Sequence, residues 1–155
     1  MIEHRTILLV EDDEDDIFIM QRALKEAVIT NPLQVVQDGE KAIAYLAGQQ
    51  EFSDRSKFPL PVIIFLDLNL PLRSGFDVLS WMRQREQFAS IIVVVLTSSE
   101  EPQDLSRAYR LGANSYLVKP PTPEELLDMA KAFRWYWIEH KELAPSVPDA
   151  PEAPQ

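Results

Sequence analysis

The stretch Val62–Pro71, VIIFLDLNLP, decides the fold, because an unbroken run of five apolar residues leads directly into Asp67. A short run of this kind is typical of a strand covered on both faces, as in the middle of a parallel sheet. The C-terminal ends of such strands form the edge at which open α/β folds bind ligands. The sequence therefore predicts that Asp67 lies at a ligand-binding edge, although an isolated acid there more often only caps a turn.

The composition predicts one soluble, cytoplasmic domain. The chain has 155 residues, of which 46% are hydrophobic and 26% charged, as in ordinary globular domains. Its net charge of −10 argues against nucleic acid or an anionic membrane as the main partner. The absence of cysteine excludes disulfides and thiol chemistry. No apolar run resembles a signal peptide or approaches the roughly 20 residues of a membrane span.

Five apolar runs alternate with five helical patterns along the chain. The strands are predicted at Thr6–Val10, Leu33–Val36, the run ending at Asp67, Ile91–Leu96 and Ser115–Val118. The helices are predicted from Asp13 onward and at Glu40–Ala47, Phe76–Arg85, Pro102–Gly112 and Pro123–His140. Such alternation predicts an α/β fold, with a parallel sheet covered by helices on both faces.

Two segments interrupt or follow this alternation. Gly48–Pro61 is polar and contains two prolines, and loops of that length are more often functional or mobile than structural. Residues 143–155 carry prolines at every third position and little apolar content, which predicts a disordered acidic tail. The folded domain is therefore expected to cover residues 5–142.

Polar residues follow four of the predicted strands, and parallel strands bring them to one edge. Glu11 and Asp12 follow the first strand, Thr97 the fourth and Lys119 the fifth. Together with Asp67 they would crowd three carboxylates, which raise one another's pKa unless a cation neutralises them. Oxygen ligands without His or Cys favour Mg²⁺ over zinc, and the Lys119 ammonium supplies a second positive charge.

A magnesium ion, an ammonium and a hydroxyl at one edge suit a phosphoryl group. The ion and Lys119 would neutralise its oxygens while Thr97 donates a hydrogen bond. One carboxylate is then the nucleophile, and Asp67 on the central strand is the candidate. Each residue alone also has an ordinary structural explanation, but their coincidence at successive strand ends favours a site.

The motifs ILLVEDD, FLDLNLP, VVLTSS and YLVKP, in this order, resemble the receiver domains of two-component response regulators over residues 5–140. The resemblance implies a flavodoxin-like (βα)5 doubly wound fold with strand order 2-1-3-4-5. It implies Asp67 as the phospho-acceptor, Asp12 as a direct Mg²⁺ ligand and Glu11 as a ligand through water. The backbone carbonyl of Asn69 would be a further ligand.

The same resemblance assigns the remaining strand-end residues. Thr97 and Lys119 would contact the phosphoryl oxygens, Tyr116 would be the aromatic switch residue, and the Lys119–Pro120 peptide bond would be cis. Glu11, where the family more often has Asp, is a mild departure from the pattern. Such a domain is not an enzyme for an external substrate, because it catalyses only its own phosphorylation and dephosphorylation.

A narrower resemblance concerns the partner. The segments DLNLP, LTSS and RAYRLGANSYLVKP, the long loop before the third strand and the aromatic-rich last helix resemble the single-domain regulators paired with cyanobacterial phytochrome histidine kinases. This implies a light-sensing histidine kinase as partner, a homodimer, and signalling by contact or onward phosphotransfer without an attached output domain.

The last helix is apolar on more than one face. The stripe expected to cover the sheet consists of Leu126, Leu127, Ala130, Phe133 and Trp137, while Met129, Trp135, Tyr136 and Ile138 lie off it. Each aromatic ring buries about 150–250 Å², more than one short helix can hide against the sheet. The predicted solution is a two-fold homodimer formed through Phe133, Trp135, Tyr136 and Trp137.

Two other protein classes fit less well. A haloacid-dehalogenase-type phosphatase also uses a strand-end Asp with Mg²⁺, but it needs a second Asp at position 69, where this chain has Asn69, and a cap domain for which there is no room. A flavin-binding flavodoxin-like carrier needs a phosphate loop after the first strand. Glu11–Asp16, six consecutive acids, would repel that phosphate.

Overall fold

The computed structural model describes the backbone of residues 5–136 and the side chains of residues 5–132. In this part of the chain, five strands alternate with five α-helices. The strands are β1 (Ile7–Val10), β2 (Leu33–Val36), β3 (Ile63–Asp67), β4 (Ile92–Thr97) and β5 (Ser115–Val118). The helices are α1 (Glu14–Glu26), α2 (Gly39–Ala47), α3 (Gly75–Arg83), α4 (Pro102–Arg110) and α5 (Pro123–Tyr136). None of the helices described combines the length and apolar content that crossing a membrane requires.

All five strands are parallel and follow the order β2-β1-β3-β4-β5, which confirms the predicted topology. Val10 of β1 pairs with Leu66 of β3, so the residue after β1 lies beside the end of β3. On the other side of β3, Asp67 pairs with Leu96 of β4. The C-terminal ends of the strands therefore lie along one edge, with β3 in the centre.

Successive strand residues point to opposite faces of the sheet, and each face has its own core. Leu8, Val10 and Leu66 pack with α2, α3 and α4, whereas Leu9 and Phe65 pack with α1 and α5. Because both faces are covered, every residue of β1, β3 and β4 is buried. This explains the unbroken apolar runs in the sequence and confirms a doubly wound sheet.

The acid run after β1 starts α1. The side chain of Asp13 is the N-cap and accepts hydrogen bonds from the backbone N–H groups of Asp15 and Asp16. Acids in a first helical turn also oppose the positive end of the helix dipole. The end of β1 and the first turn of α1 are thus only a few residues apart, which brings the start of α1 close to the polar edge.

The segment Gly48–Pro61, an irregular stretch in the sequence prediction, is anchored to the domain by packing and hydrogen bonds. The rings of Phe52 and Phe58 pack on each other and on Tyr45 of α2, with centroids 5.1 to 5.9 Å apart. Arg55 donates hydrogen bonds to backbone carbonyls of α2 and the loop. These aromatic residues, scattered among polar ones, form a small core of their own, so the segment is packed on the domain. A functional role for it stays a prediction.

The helix α5 differs from the predicted stripe at two positions. Leu126 is buried as expected, but Leu127, also expected to cover the sheet, is 38% exposed. Met129, expected to lie off the stripe, packs against the core instead. Residues spaced by three and four positions share a helix face, so the helix turns Leu126 and Met129 inward together. The side chains of Phe133, Trp135 and Tyr136, all of Trp137, and the predicted tail 143–155 lie outside the described residues.

Candidate functional site

Four strands deliver polar residues to the centre of the sheet edge. Glu11 follows β1, Asp67 ends β3, Thr97 ends β4 and Lys119 follows β5. Glu11, Asp67 and Thr97 are 1%, 3% and 0% exposed, so they lie at the floor of the edge. Burying three such groups costs free energy unless they are paired, which indicates that the arrangement serves a purpose beyond packing.

Three acids at this edge, Glu11, Asp67 and the neighbouring Asp12, form one group. A carboxylate oxygen from each of Glu11, Asp12 and Asp67 lies within 4.8 Å of the other two, and Asp12 opens the group to solvent. Hard divalent cations take oxygen ligands of this kind at about 2.0–2.6 Å. Glu11 Oε1 is also buried, and its close partner among the described residues is the ammonium of Lys119, 2.7 Å away. Three carboxylates that converge on one point, one of them open to solvent, fit a bound Mg²⁺ ion.

Lys119 supplies the positively charged side chain of the site. Its Nζ lies 2.7 Å from Glu11 Oε1, 3.3 Å from Asp67 Oδ2 and 3.0 Å from Asp16 Oδ2. The first two contacts agree with the predicted role of Lys119 beside the carboxylates. Asp16 was predicted only as part of the helix start, and its contact with Lys119 was missed. The signal was present: Asp16 stands four residues before Met20, on the inward stripe of α1, where an acid is unexpected.

The charges of the site depend on burial and on these pairs. Burial raises the pKa of Glu11 to about 7, while hydrogen bonds from Lys119 and the backbone N–H of Asp13 act in the opposite direction. Burial lowers the pKa of Lys119, but its contacts with Glu11, Asp16 and Asp67 outweigh this and raise it overall. Lys119 is therefore a permanent positive charge at neutral pH.

The two oxygens of Asp67 face different partners. Oδ1 accepts a hydrogen bond of 3.2 Å from the backbone N–H of Asn69, whereas Oδ2 faces Lys119. At the neighbouring strand end, Thr97 Oγ1 accepts a 2.9 Å bond from the backbone N–H of Ser99. That bond uses the oxygen as an acceptor and leaves the hydroxyl hydrogen free to donate. Asp67 thus lies between the acid group on β1 and the hydroxyl on β4.

Tyr116 occupies the surface next to this edge. Its half-buried ring packs against the core and meets the ring of Tyr109 on α4 edge to face, with centroids 6.1 Å apart. The Lys119–Pro120 peptide bond is cis, which confirms the expectation drawn from the resemblance. Tyr116 therefore contacts α4 and lies on the strand next to β4.

One close approach behind Asp67 was not predicted from the sequence. Gly75 begins α3, and a β-carbon at this position would collide with the carbonyl oxygen of Asp67 and lie 2.7 Å from Leu68 Cα. The backbone N–H of Gly75 also donates to the carbonyl of Leu68 at 2.9 Å. The start of α3 thus holds the backbone that carries Asp67.

Comparison with known proteins identifies the family. The family model described as the response regulator receiver domain matches residues 7–131. The chain therefore belongs to the response regulator receiver family, and as a two-component receiver its partner is a histidine kinase. Receiver domains bind a divalent metal at an acidic pocket, and Glu11, Asp12 and Asp67 form such a pocket in this chain.

The relatives include phytochrome-associated regulators. Response regulator Rcp1 of Synechocystis sp. is 37% identical over 135 residues, which cover 87% of this chain and 90% of Rcp1. The crystal structure of the Mn²⁺-bound form of Rcp1 has a TM-score of 0.70 at 37% identity, covering 88% of this chain and 96% of that one. The crystal structure of the phosphorylated cyanobacterial phytochrome response regulator RcpA has a TM-score of 0.72 at 33% identity, covering 87% and 94%. These likenesses confirm the predicted family and fold.

Proposed function

We propose that this protein accepts a phosphoryl group from a histidine kinase onto Asp67 in a Mg²⁺-dependent reaction. The observation that carries the proposal is the position of Asp67 on the central strand. On one side lie Glu11 and Asp12, with which it forms the cation-binding group, and on the other lies the end of β4. Lys119 contacts Oδ2 of Asp67 directly. Among the site's acids, only Asp67 combines these neighbours.

The transfer needs one bond to form and one to break. An oxygen of Asp67 attacks phosphorus, and the bond from phosphorus to the imidazole nitrogen of the donor histidine breaks. Charge then spreads over the three equatorial oxygens of the phosphoryl group. Lys119 is close enough to neutralise part of that charge, and the hydroxyl hydrogen of Thr97 is available to one oxygen. The chain's contribution is thus positioning and electrostatic stabilisation.

Bound Mg²⁺ would neutralise phosphoryl oxygens and orient them toward Asp67. Asp12 and Asp67 would be its direct carboxylate ligands, Glu11 a ligand through water, and the backbone carbonyl of Asn69 a further ligand. Mg²⁺ keeps several waters and prefers oxygen donors, which suits a site where one of the three acids is open to solvent. The crystal structure of Rcp1 with Mn²⁺ supports a divalent cation in this group of relatives.

The experiment is phosphorylation with a small-molecule phosphodonor. Purified protein is incubated with acetyl phosphate and Mg²⁺, trapped, and the modified residue is mapped by mass spectrometry. We expect one phosphoryl group, on Asp67, and none when the divalent cation is chelated. Modification at another acid, or the same extent of modification with a chelator present, would contradict the proposal.

The kinase that supplies the phosphoryl group is proposed to be of the phytochrome type. Solved structures named as a phytochrome and a bacteriophytochrome response regulator, which cover 87% and 86% of this chain, support this choice. Histidine kinases draw their phosphoryl group from ATP, so the reaction is proposed to take place in the cytoplasm.

Phosphorylation is proposed to move Thr97 toward the phosphoryl oxygens and Tyr116 inward behind it. Such switches are local charge events that bias an element with two arrangements. Thr97→Ala should still be phosphorylated at Asp67, but the change at Tyr116 should be lost, because no hydroxyl draws the end of β4 toward the new charge. Solution NMR of labelled tyrosine, before and after phosphodonor, measures this. Thr97→Ser keeps the hydroxyl and should keep the change at Tyr116, whereas the same shift in Thr97→Ala would refute the coupling.

The homodimer through the end of the last helix is also proposed. Its support is the number of aromatic residues at positions 133–137 and the exposure of Leu127 one turn or more before them. We expect wild-type protein to be dimeric by light scattering at high micromolar concentration, and the double variant Trp135→Ser/Tyr136→Ser to be monomeric. Leu72→Ser is the control, because Leu72 is 73% exposed on a different part of the domain. A monomeric wild type, with or without phosphodonor, would end the proposal.

A further inference from the structure

The contact between Asp16 and Lys119 is not explained by the cation site. Lys119 Nζ donates a 3.0 Å hydrogen bond to Asp16 Oδ2, on the first turn of α1. Asp16 does not belong to the group of three carboxylates whose oxygens lie within 4.8 Å of one another. Lys119 is therefore held by two acids of the cation group and by one acid outside it.

We propose that Asp16 is a positioning residue of the phosphotransfer site, which keeps the Lys119 ammonium in place when the other two carboxylates are engaged. This inference rests on the proposed function, because it assigns a role in the same site. Asp16 does not touch the reacting atoms and acts only through Lys119. It lies on a helix, whereas the other acids of the site follow or end strands.

Lys119 and a bound cation compete for the same carboxylate oxygens. Lys119 contacts Glu11 Oε1 and Asp67 Oδ2, and both carboxylates belong to the cation group. A divalent cation and an ammonium draw on the same negative charge, so binding of one weakens the hold on the other. The contact with Asp16 is free of this competition. Of the three carboxylates that contact Lys119, Glu11 and Asp67 are also in the cation group, and Asp16 is not.

The chemistry of lysine makes such an anchor useful. Its ammonium is a point charge at the end of a flexible four-carbon stem, and ordering that stem costs conformational entropy. With Asp16 present, the head group keeps a partner within hydrogen-bond distance while the cation and the phosphoryl group occupy the others. Without Asp16, Lys119 would depend on Glu11 and Asp67 alone and would compete with the cation for them.

The simpler explanation is that Asp16 only stabilises the start of α1 through the helix dipole. Asp15 tests it, because it lies in the same first turn, carries the same charge and is exposed without a side-chain partner among the described contacts. A helix effect would be similar for both residues. A positioning effect belongs to Asp16 alone.

The first experiment measures cation affinity without any chemistry. Mn²⁺ binding is followed by calorimetry or electron paramagnetic resonance in wild type, Asp16→Asn and Asp15→Asn, each also with Lys119→Gln. We expect Asp16→Asn to weaken binding by about 3- to 10-fold, because Lys119 then competes with the cation for Glu11 and Asp67. Asp15→Asn should weaken it by less than about 2-fold, because an exposed charge is screened. In the Lys119→Gln background the difference between the two should vanish, because Asp16 then has nothing to position.

Equal losses for the two single variants, or a loss at Asp16 that persists without Lys119, would overturn the proposal. The former would indicate a helix effect, and the latter a direct effect of the Asp16 charge on the cation. Circular dichroism of each variant checks that α1 is retained. The Asp15→Asn protein carries the same change in net charge, so general electrostatics cannot produce the expected pattern.

The second experiment separates this proposal from the function on which it rests. Phosphorylation by acetyl phosphate is measured at saturating Mg²⁺, where weaker cation binding no longer limits the rate. We expect Asp16→Asn to be slower than wild type at saturating phosphodonor and Asp16→Glu, which restores a carboxylate, to recover much of the loss. An Asp16→Asn rate equal to wild type would refute the positioning role. A wild type that is not phosphorylated at Asp67 would instead refute the proposed function, while the Mn²⁺ experiment would still decide the role of Asp16.

Discussion

Asp67→Asn is expected to abolish acyl-phosphate formation while leaving the domain folded. The substitution keeps the volume of the side chain and the hydrogen-bond acceptor for the N–H of Asn69, but it removes the nucleophilic carboxylate. It removes a charge that repels Glu11 but also pairs with Lys119, and because these two effects oppose each other we expect the free energy of unfolding to change by no more than about 1 kcal/mol. Incorporation of label from a phosphodonor and thermal unfolding followed by circular dichroism measure the two effects.

Two further variants make this result specific. Asp128→Asn removes an exposed acid on α5 and should be phosphorylated like wild type. Asp12→Asn keeps the nucleophile but loses a proposed ligand, so its phosphorylation should require a higher concentration of Mg²⁺. Label retained by Asp67→Asn would show that another acid is the acceptor. An unchanged Mg²⁺ requirement in Asp12→Asn would contradict the cation site.

The strand ends could be predicted from the sequence because the strands are buried on both faces. Runs such as IIVVVL are apolar at every position, so their ends are easy to locate in the sequence. The prediction for β4 differs from the structure by one residue at each end. Since parallel strands share one edge, residues after different strands could be placed together without knowing any side-chain position. Glu11, Asp67 and Lys119 are in contact as this argument requires.

Contacts made by helices and loops were beyond the same argument. Whether Asp16 reaches Lys119 depends on the rotation of α1 against the sheet, which the spacing of acids alone does not determine. The inward turn of Met129, in place of Leu127, depends in the same way on how α5 packs. The loop containing Phe52 looked unstructured because its aromatic partners are separated in sequence by polar residues. These features arise from tertiary packing and carry only weak local signals.

A β-carbon at Gly75 would collide with the backbone of Asp67, so the substitution Gly75→Ala is expected to affect both stability and phosphorylation. In most helices, replacing Gly by Ala raises stability by as much as about 1 kcal/mol. At Gly75 the added carbon would instead meet the carbonyl oxygen of Asp67 and the Cα of Leu68, which are backbone atoms and cannot rotate away. Either α3 or the segment that carries the phospho-acceptor must move.

Gly75→Ala is therefore expected to lower the free energy of unfolding by about 1–3 kcal/mol, as overpacking does in other cores. It should also slow phosphorylation of Asp67, by on the order of 100-fold for a displacement of about 1 Å. Urea unfolding and the rate of labelling from acetyl phosphate, corrected for the folded fraction, measure the two effects.

Gly112→Ala is the matched control for this prediction. Its backbone φ of 110° is unfavourable for alanine, and a β-carbon there would lie 2.5 Å from Cγ of Arg83, away from the acid site. It should be destabilised through backbone strain, yet its folded fraction should be phosphorylated at the wild-type rate. If Gly75→Ala were as stable as wild type, or its folded fraction equally reactive, the start of α3 would not be what holds Asp67 in position.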